Sequence, residues 1–287
     1  MMSPEALVRA AAERLARAGV AAPRGDAELL LAHVLDVPRG RLALAPGPDD
    51  KQRERYEALL SRRADREPLQ HLTGRVGFRT VELVVGPGVF VPRPETELLA
   101  GWAIDEIEQV LAAGHVRPVV VDLCTGSGAI AVAIAAEANG ARVYAVEVDP
   151  EAHAYAEQNV AETGVELLLG DAADALAELD GRVDVVVANP PYIPLDAYEG
   201  VDLEARRHDP PVALWSGEDG LDAIRMVERV AARLLRAGGV VGCEHADVQG
   251  RSAPAVFADA ERWVQVCDHC DLAGRSRYTT ARRCQVA

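Results

Sequence analysis

The chain has 287 residues, 49% hydrophobic and only 4% aromatic, with a formal net charge of −15 at pH 7. That length supplies a sizeable core, and that charge argues against a general nucleic-acid binder, which needs clustered Lys and Arg to neutralise phosphates. No apolar run approaches the roughly 20 residues that span a bilayer, Met1-Met2-Ser3-Pro4-Glu5 does not read as a secretory leader, and five cysteines, an odd number unevenly spread, suggest reduced thiols in a cytoplasmic setting.

Ser3-Pro4 predicts an N-cap followed by proline at the first helical position, with a helix running to Ala18 and stopped at Gly19. Leu7, Val8, Ala11 and Leu15 share one face of it. Asp26 is read as the cap of a second helix carrying Leu29, Leu30, His33 and Val34. Asp49 or Asp50 opens a third, through Tyr56, Leu59, Leu60 and Arg63. Residues 1–72 thus make a small helical domain. Its Arg53, Arg55, Arg62, Arg63 and Arg66 form either a solvated helix face or a partner surface. His33 and His71 are expected as packing or surface residues.

Residues 76–78 and 81–85 predict the strands of a hairpin around Arg79-Thr80. Pro92-Arg93-Pro94 cannot be regular helix, so Phe90 and Arg93 are held in a stiff linker over residues 73–94. A helix then starts near Glu95.

From Val119 onward strands and helices alternate. Strands are expected over 119–122, 142–147, 166–169, 183–188 and 240–244, with helices over 129–138, 150–162 and 220–236. A helix over 254–260 and two closing strands over 263–267 and 278–282 complete the chain. This alternation implies a doubly wound, mostly parallel seven-stranded sheet in an α/β domain over residues 95–287. A short turn joins the closing strands, so one runs antiparallel. Cys267-Asp268-His269-Cys270 has metal-ligand spacing, and Cys284 and His245 could complete a zinc site. Without a second paired motif, buried or edge thiols are the default, and no metal is expected.

Ligands of such a sheet bind beyond the carboxyl ends of its strands. Asp122, Glu147, Asp171 and Asn189 all fall at those ends. Gly126-Ser127-Gly128-Ala129-Ile130-Ala131 fits a loose G-x-G-x-x-A turn, and Glu147 follows by about 20 residues, where an acid binds ribose hydroxyls. Alone, this points to a dinucleotide or another adenosine cofactor. S-adenosylmethionine fits better than NAD: it is a sulfonium cation without phosphate, suited to the acidic cleft of Asp122, Glu147 and Asp171.

Asn189-Pro190-Pro191-Tyr192 ends the apolar run over 183–188. The prolines restrict φ and remove two backbone donors, and the residue before each is pushed towards extended geometry. The Asn189 side chain and the carbonyls of Asn189 and Pro190 are left as rigid acceptors, a receptor for a planar NH2 group. A Pro-rich turn closing a strand is the plainer reading of an Asn-Pro pair taken alone.

Asp122-Leu-Cys-Thr-Gly126-Ser-Gly128-Ala-Ile-Ala, Glu147, Gly170-Asp171 and Asn189-Pro-Pro-Tyr192 together resemble class I S-adenosylmethionine-dependent methyltransferases. Glu67-Pro68-Leu69-Gln70-His71-Leu72-Thr73-Gly74, the run from Phe90 through Pro92-Arg93-Pro94-Glu95 to Glu97, and Gly217-Glu-Asp-Gly220-Leu221 narrow the resemblance. Over essentially the whole chain it is similar to the bacterial protein-(glutamine-N5) methyltransferases that modify peptide chain release factors. It departs at Cys124, where the family often has glycine, at Asp209-Pro210, where Glu-Pro is usual, and at Cys243-Glu244-His245-Ala246, where Glu-Ile-Gly is more common.

The resemblance implies methyl transfer from S-adenosylmethionine, leaving S-adenosylhomocysteine, to the glutamine amide of a Gly-Gly-Gln loop, by a monomer. Asp122, Cys124, Thr125, Gly126, Ser127 and Gly128 are the implied binders of the methionine part, Glu147 of the ribose, and Asp171 with Ala172 of the adenine. Asn189, Pro190 and Tyr192 are the expected catalytic residues. Phe90, Arg93, Glu95 and Pro191 join them against the substrate, while the N-terminal helices grip the release factor. Other readings stay open: a glutamine methyltransferase acting on a ribosomal protein, an adenine or guanine exocyclic-amine methyltransferase, an NAD-dependent oxidoreductase, or a non-catalytic protein that kept the fold.

Overall fold

The structure is a computed structural model that describes residues 3–285. Met1, Met2, Val286 and Ala287, at the ends of the expected domain ranges, lie outside the described residues.

Four helices come first: α1 (Pro4–Arg17), α2 (Pro23–Leu35), α3 (Asp50–Ala64) and α4 (Leu69–Thr73). A hairpin of β1 (Arg75–Phe78) and β2 (Val81–Val84) follows. Then come α5 (Thr96–Ala112), β3 (Val119–Leu123), α6 (Ala129–Glu137), β4 (Arg142–Glu147), α7 (Pro150–Val160), β5 (Glu166–Leu169) and β6 (Val183–Ala188). The chain closes with α8 (Leu203–His208), α9 (Asp222–Leu234), β7 (Leu235–Glu244), α10 (Ser252–Ala258), β8 (Trp263–Cys270) and β9 (Ser276–Arg283). They form two units: the residues up to Arg75 with Val201–His208, and Val76–Gly200 with the residues from Asp209 onward.

In the first unit Ser3 caps α1, its hydroxyl accepting from the Ala6 amide at 3.3 Å. Asp49 and Gln52 close a capping box on α3 at 2.8 and 2.9 Å, worth about 1 kcal/mol. Leu15, Leu30, Leu31, Tyr56 and Leu60 build the core. Asp26 is not the cap of α2, which begins three residues earlier at Pro23. It is 7% exposed and accepts from Arg63 Nε at 2.7 Å. Arg63, 5% exposed, also reaches Glu204 at 2.9 Å, and Arg66 holds the same carboxylate at 2.9 Å. These two arginines are therefore neither a solvated face nor a partner surface; a buried carboxylate needs a cation beside it. Glu204 lies on α8, so 201–208 belongs to this unit rather than to the domain expected over 95–287.

The second unit holds a seven-stranded sheet in the order β5-β4-β3-β6-β7-β9-β8. β9 pairs antiparallel with β7 and β8, and the remaining pairs are parallel. On one face α5 and α6 bury Leu99, Ala103, Ile107, Ile130 and Ile134 with Val120, Val185, Val187 and Val240. On the other, α9 and α10 bury Ile224, Val227 and Phe257 with Val121, Val186 and Val241. Burial on both faces is why β6 is apolar almost without alternation. β7 starts at Leu235, earlier than expected at 240, with Gly238-Gly239 inside the strand and a register shift beside them between Val183 and Val185. Glycine is tolerated at such irregularities. β8 runs on to Cys270 at the sheet edge, where Cys267 and Cys270 are exposed. Among the described residues no helix is long and apolar enough to cross a membrane, and no group of three or more His, Cys, Asp or Glu could hold a metal.

The strand order runs outward in opposite senses from β3 and β6, so the crevice lies beyond their carboxyl ends. Leu123 pairs with Val146 and Ala188, and Ala188 with Cys243. The next residues on three neighbouring strands, Cys124, Asn189 and Glu244, therefore emerge at one level. Ala188 and Cys243 join the α9 face, so by the period of two Asn189 and Glu244 turn to the α5 face.

Candidate active site

The loop between β3 and α6 is built on Asp122. This buried carboxylate accepts from Thr125 Oγ1 at 2.5 Å and from the Ala131 amide at 3.2 Å. Its Oδ1 is buried without a hydrogen-bond partner. Burial pushes the carboxyl up to about 7, outweighing both bonds, with Glu147 adding to the rise. Glu147 ends β4; its Oε2 accepts from the Gly126 amide at 2.7 Å, and its Oε1 from the Val148 and Asp149 amides at 2.9 and 2.8 Å. Burial raises its pKa and the three amides oppose the rise. Cys124 has φ 59°, and its thiol is pushed up by burial, then by Glu147, Asp122 and Asp171. Asp171 is exposed after β5, with Ala172 buried beside it.

The loop amides are largely spent inside the protein. Thr125 N donates to Val146 O at 3.0 Å, Gly126 N to Glu147, and Gly128 N to Thr125 O at 2.9 Å. They make no nest for a pyrophosphate, which disfavours the NAD reading. Three carboxylates around Cys124 and an unpartnered lone pair on Asp122 suit a cation carrying hydroxyl groups. A Cβ at Gly126 would meet nothing within 4 Å, so the turn faces open space there.

Beside this loop, Asn189 Nδ2 donates to Thr96 Oγ1 at 3.3 Å. Thr96 starts α5 and is buried. Tyr192 Oη donates to Glu244 Oε1 at 3.4 Å. Glu244 is 1% exposed, and its Oε2 is buried without a partner. Burial pushes its carboxyl up to about 7; Thr96, the Arg277 charge and the Tyr192 hydroxyl oppose this, and the Glu95 charge adds to it. Burial and then Glu244 raise the Tyr192 phenol. Pro190 is buried and Pro191 half-buried. The Tyr192 carbonyl accepts from Gln249 Nε2 at 3.0 Å, and the same amide reaches Gly220 O at 3.2 Å. Gly220 has φ 74°, and a Cβ there would lie 2.5 Å from Tyr192 O. Only glycine fits both demands, which gives the Gly217–Leu221 stretch its physical reason.

In the linker, the Arg93 guanidinium lies 4.9 Å over the Phe90 ring and bonds Asp209 Oδ2 at 2.7 Å. Phe90, Arg93 and Asp209 form one cluster, and the Arg93 charge also acts on the Tyr192 phenol. Glu95 is the member of the linker set whose charge acts on Glu244.

Of the residues expected from the sequence, two groups come together. Asp122, Cys124, Thr125, Gly126 and Glu147 gather with Asp171, and Tyr192 and Glu95 gather around Glu244, with Asn189 bonded to Thr96. Ser127 is buried, and its carbonyl accepts from Asn159 Nδ2 at 2.9 Å. Thr96, Glu244, Asn159 and Gln249 are not singled out by the sequence. Glu244 carries the signal used for its neighbours, a polar residue ending a strand. Asn159 also bonds Val84 N and O at 2.7 and 2.9 Å, tying the hairpin to the glycine turn; only tertiary contact reveals that.

The PrmC N-terminal domain matches residues 6–74, and the methyltransferase small domain matches residues 104–199. The release factor glutamine methyltransferase of Streptomyces coelicolor is 54% identical, covering 96% of both chains. That of Mycolicibacterium smegmatis is 48% identical, again over 96% of both. A 4-amino-L-phenylalanine/4-methylamino-L-phenylalanine methyltransferase of Streptomyces pristinaespiralis is 43% identical, covering 87% of this chain and 85% of its own. The hMettl16 catalytic domain, solved with MAT2A 3′UTR hairpin 6, is 17% identical with a TM-score of 0.50, over 81% of this chain and 82% of its own, a likeness of fold.

Proposed function

The chain belongs to the release factor glutamine methyltransferase family, and from that premise we propose that it methylates the side-chain amide nitrogen, N5, of the Gly-Gly-Gln glutamine in peptide chain release factors. S-adenosylmethionine, when bound, supplies an electrophilic methyl group on a sulfonium. The residues that would hold it are Asp122, Cys124, Thr125, Gly126, Ser127 and Gly128 for the methionine part, Glu147 for the ribose hydroxyls, and Asp171 with Ala172 for the adenine. On this reading the N-terminal helices grip the release factor, and the protein works as a cytoplasmic monomer.

The observation that carries the proposal is the orientation of Asn189. Its NH2 is engaged by Thr96, so its Oδ1 points the other way. Oδ1 and the Pro190 carbonyl then accept the two N–H groups of a planar amide. A glutamine amide is a weak nucleophile because its lone pair is delocalised into the carbonyl. Fixing it in line with the methyl recovers up to about 7–11 kcal/mol in favourable systems. The same two acceptors stabilise the positive charge that grows on nitrogen as the N–C bond forms and the sulfur–carbon bond breaks. Tyr192, held by Glu244 at one end and Gln249 at the other, walls the amide. The N-methylated amide is strongly acidic as a cation and releases its proton to solvent, so Asn189, Pro190 and Tyr192 need no strong base among them.

One comparison favours a second reading. The 4-amino-L-phenylalanine methyltransferase acts, by its name, on an amine attached to a planar ring, and such an NH2 meets the same acceptors. Mass spectrometry decides: the protein is incubated with S-adenosylmethionine and either release factors, ribosomal proteins or 4-amino-L-phenylalanine. A gain of one methyl on the Gly-Gly-Gln glutamine is expected. A gain only on one of the other acceptors would overturn the proposal.

A further inference from the structure

We propose that Asn159 is a positioning residue for the cofactor: by clamping the glycine turn after β3 to the β1–β2 hairpin, it sets the affinity for S-adenosylmethionine. This rests on the S-adenosylmethionine reading of that turn and deepens it.

The Asn159 carboxamide projects from α7 and is saturated with partners. Its Oδ1 accepts from the Val84 amide at 2.7 Å, and its Nδ2 donates to the Val84 carbonyl and to the Ser127 carbonyl, each at 2.9 Å. Both amide protons are used, and the one N–H donor in the set faces the oxygen. Turning the group over would set Oδ1 against two carbonyls and Nδ2 against an N–H, so the partners fix its direction. Towards Val84 the side chain imitates a neighbouring strand, pairing with both the donor and the acceptor of one residue. Towards Ser127 it holds the middle of the turn.

The packing of α7 explains why one side chain reaches both. The buried face of this helix is small, made of Ala152, Ala156 and Val160. A Cβ at Gly128 would lie 3.5 Å from Val160 Cγ1 and 3.7 Å from Ala156 Cα, so the helix lies close against the turn. The same helix meets the segment that follows the hairpin. A Cβ at Gly86 would collide with Tyr155, and one at Gly88 with Glu151, while Val85 and Val89 are buried with Ala152. Thus α7 touches the turn and the hairpin segment, and Asn159 bonds to both.

The first half of the turn is held from the strands. Thr125 N donates to Val146 O at 3.0 Å, Thr125 Oγ1 to Asp122, and Gly126 N to Glu147 at 2.7 Å. Ser127 opens the second half, just before Gly128 with φ 83°, and its carbonyl is held from α7. A loop ordered only as its ligand arrives loses affinity by the entropy of ordering, so a turn ordered beforehand binds more tightly. Removing Asn159 also takes a donor from the carbonyl of a residue only 2% exposed. It leaves Asn189, Pro190 and Tyr192 untouched. The signature of the role is therefore a change in cofactor affinity without a change in the transfer step.

The test compares wild type with Asn159→Leu, similar in size but apolar, and Asn159→Asp, which retains an acceptor for Val84 N and loses both donors. The readouts are S-adenosylmethionine affinity and site number by calorimetry, kcat for release-factor methylation at saturating S-adenosylmethionine, and amide hydrogen exchange. Each variant should bind S-adenosylmethionine about 10-fold more weakly, equivalent to about 1.4 kcal/mol. At saturation kcat should match wild type. Exchange should quicken at Gly126 and Gly128 and stay slow in β3 and β6. A loss of fold stability alone would instead lower the site number and leave the affinity of the folded molecules unchanged. Wild-type affinity in Asn159→Asp, or a fall in kcat at unchanged affinity, would overturn the positioning role; should Asn159→Leu fail to fold, Asn159→Asp decides. If wild type binds S-adenosylmethionine but leaves release factors unmodified, the glutamine reading fails while the calorimetric comparison still decides the role of Asn159. If wild type binds no S-adenosylmethionine, the cofactor reading fails, and the role of Asn159 with it.

Discussion

Replacing Asp122 by asparagine exchanges ligand affinity for stability in a way that pH exposes. The Asp122 carboxyl sits at about 7 in the folded protein against 3.8 for the free group. Between those values the folded chain holds a proton that the unfolded chain has released. Stability from this group is therefore fully present below about pH 4 and is lost as pH rises through about 7. From about pH 5 to about pH 7 the loss runs at about 1.4 kcal/mol per pH unit, about 3 kcal/mol in all. The carboxamide of the variant cannot ionise, yet its carbonyl can still accept from Thr125 or Ala131. Urea unfolding of the ligand-free proteins at about pH 5 and about pH 8 measures the difference directly. Wild type should lose about 3 kcal/mol more than Asp122→Asn over that range. Glu244, whose carboxyl also lies at about 7, titrates in both proteins and cancels. Calorimetry should show the opposite sign for function: S-adenosylmethionine binding to wild type tightens with pH through about 7, and to the variant is weak and flat. Equal pH dependence of unfolding in both proteins would refute the assignment of a costly buried charge to Asp122.

Other expectations come from the same structure. Asn189→Ala should lower methyl transfer by about 100-fold or more while calorimetry finds S-adenosylmethionine binding intact; full activity would sink the amide-receptor scheme. Arg63→Ala leaves Asp26 and Glu204 without their shared cation and should destabilise the first unit by about 3–5 kcal/mol, seen as lost hydrogen-exchange protection in α2 and α3. Gly242→Ala would push a methyl group into Trp102 and Leu99 of α5; overpacking there should cost about 1–3 kcal/mol in urea unfolding.

The sequence by itself determined the α/β alternation, because strands buried on both faces must be apolar throughout and the helices between them must show their period. It marked the glycine turn after β3 and the Asn189–Tyr192 loop as a candidate site as well, since both are contiguous and stand at strand ends, where a single rule says to look. It also carried the family resemblance, spread over motifs from Glu67 to Leu221. Three things it could not decide. The start of β7 is hidden because a Gly-Gly pair usually breaks a strand, and only the register with β6 shows the irregularity that accommodates it. Asp26 looks like a helix cap because its partner Arg63 lies on another helix, 37 residues away. Glu204, far along the chain on α8, completes that ion cluster for the same reason. Last, the bond from Asn189 to Thr96 joins residues 93 apart in the chain, which meet only after α5 packs on the sheet. Pairings set by local spacing are legible in a sequence; those set by which strand lies next to which are created by the tertiary fold.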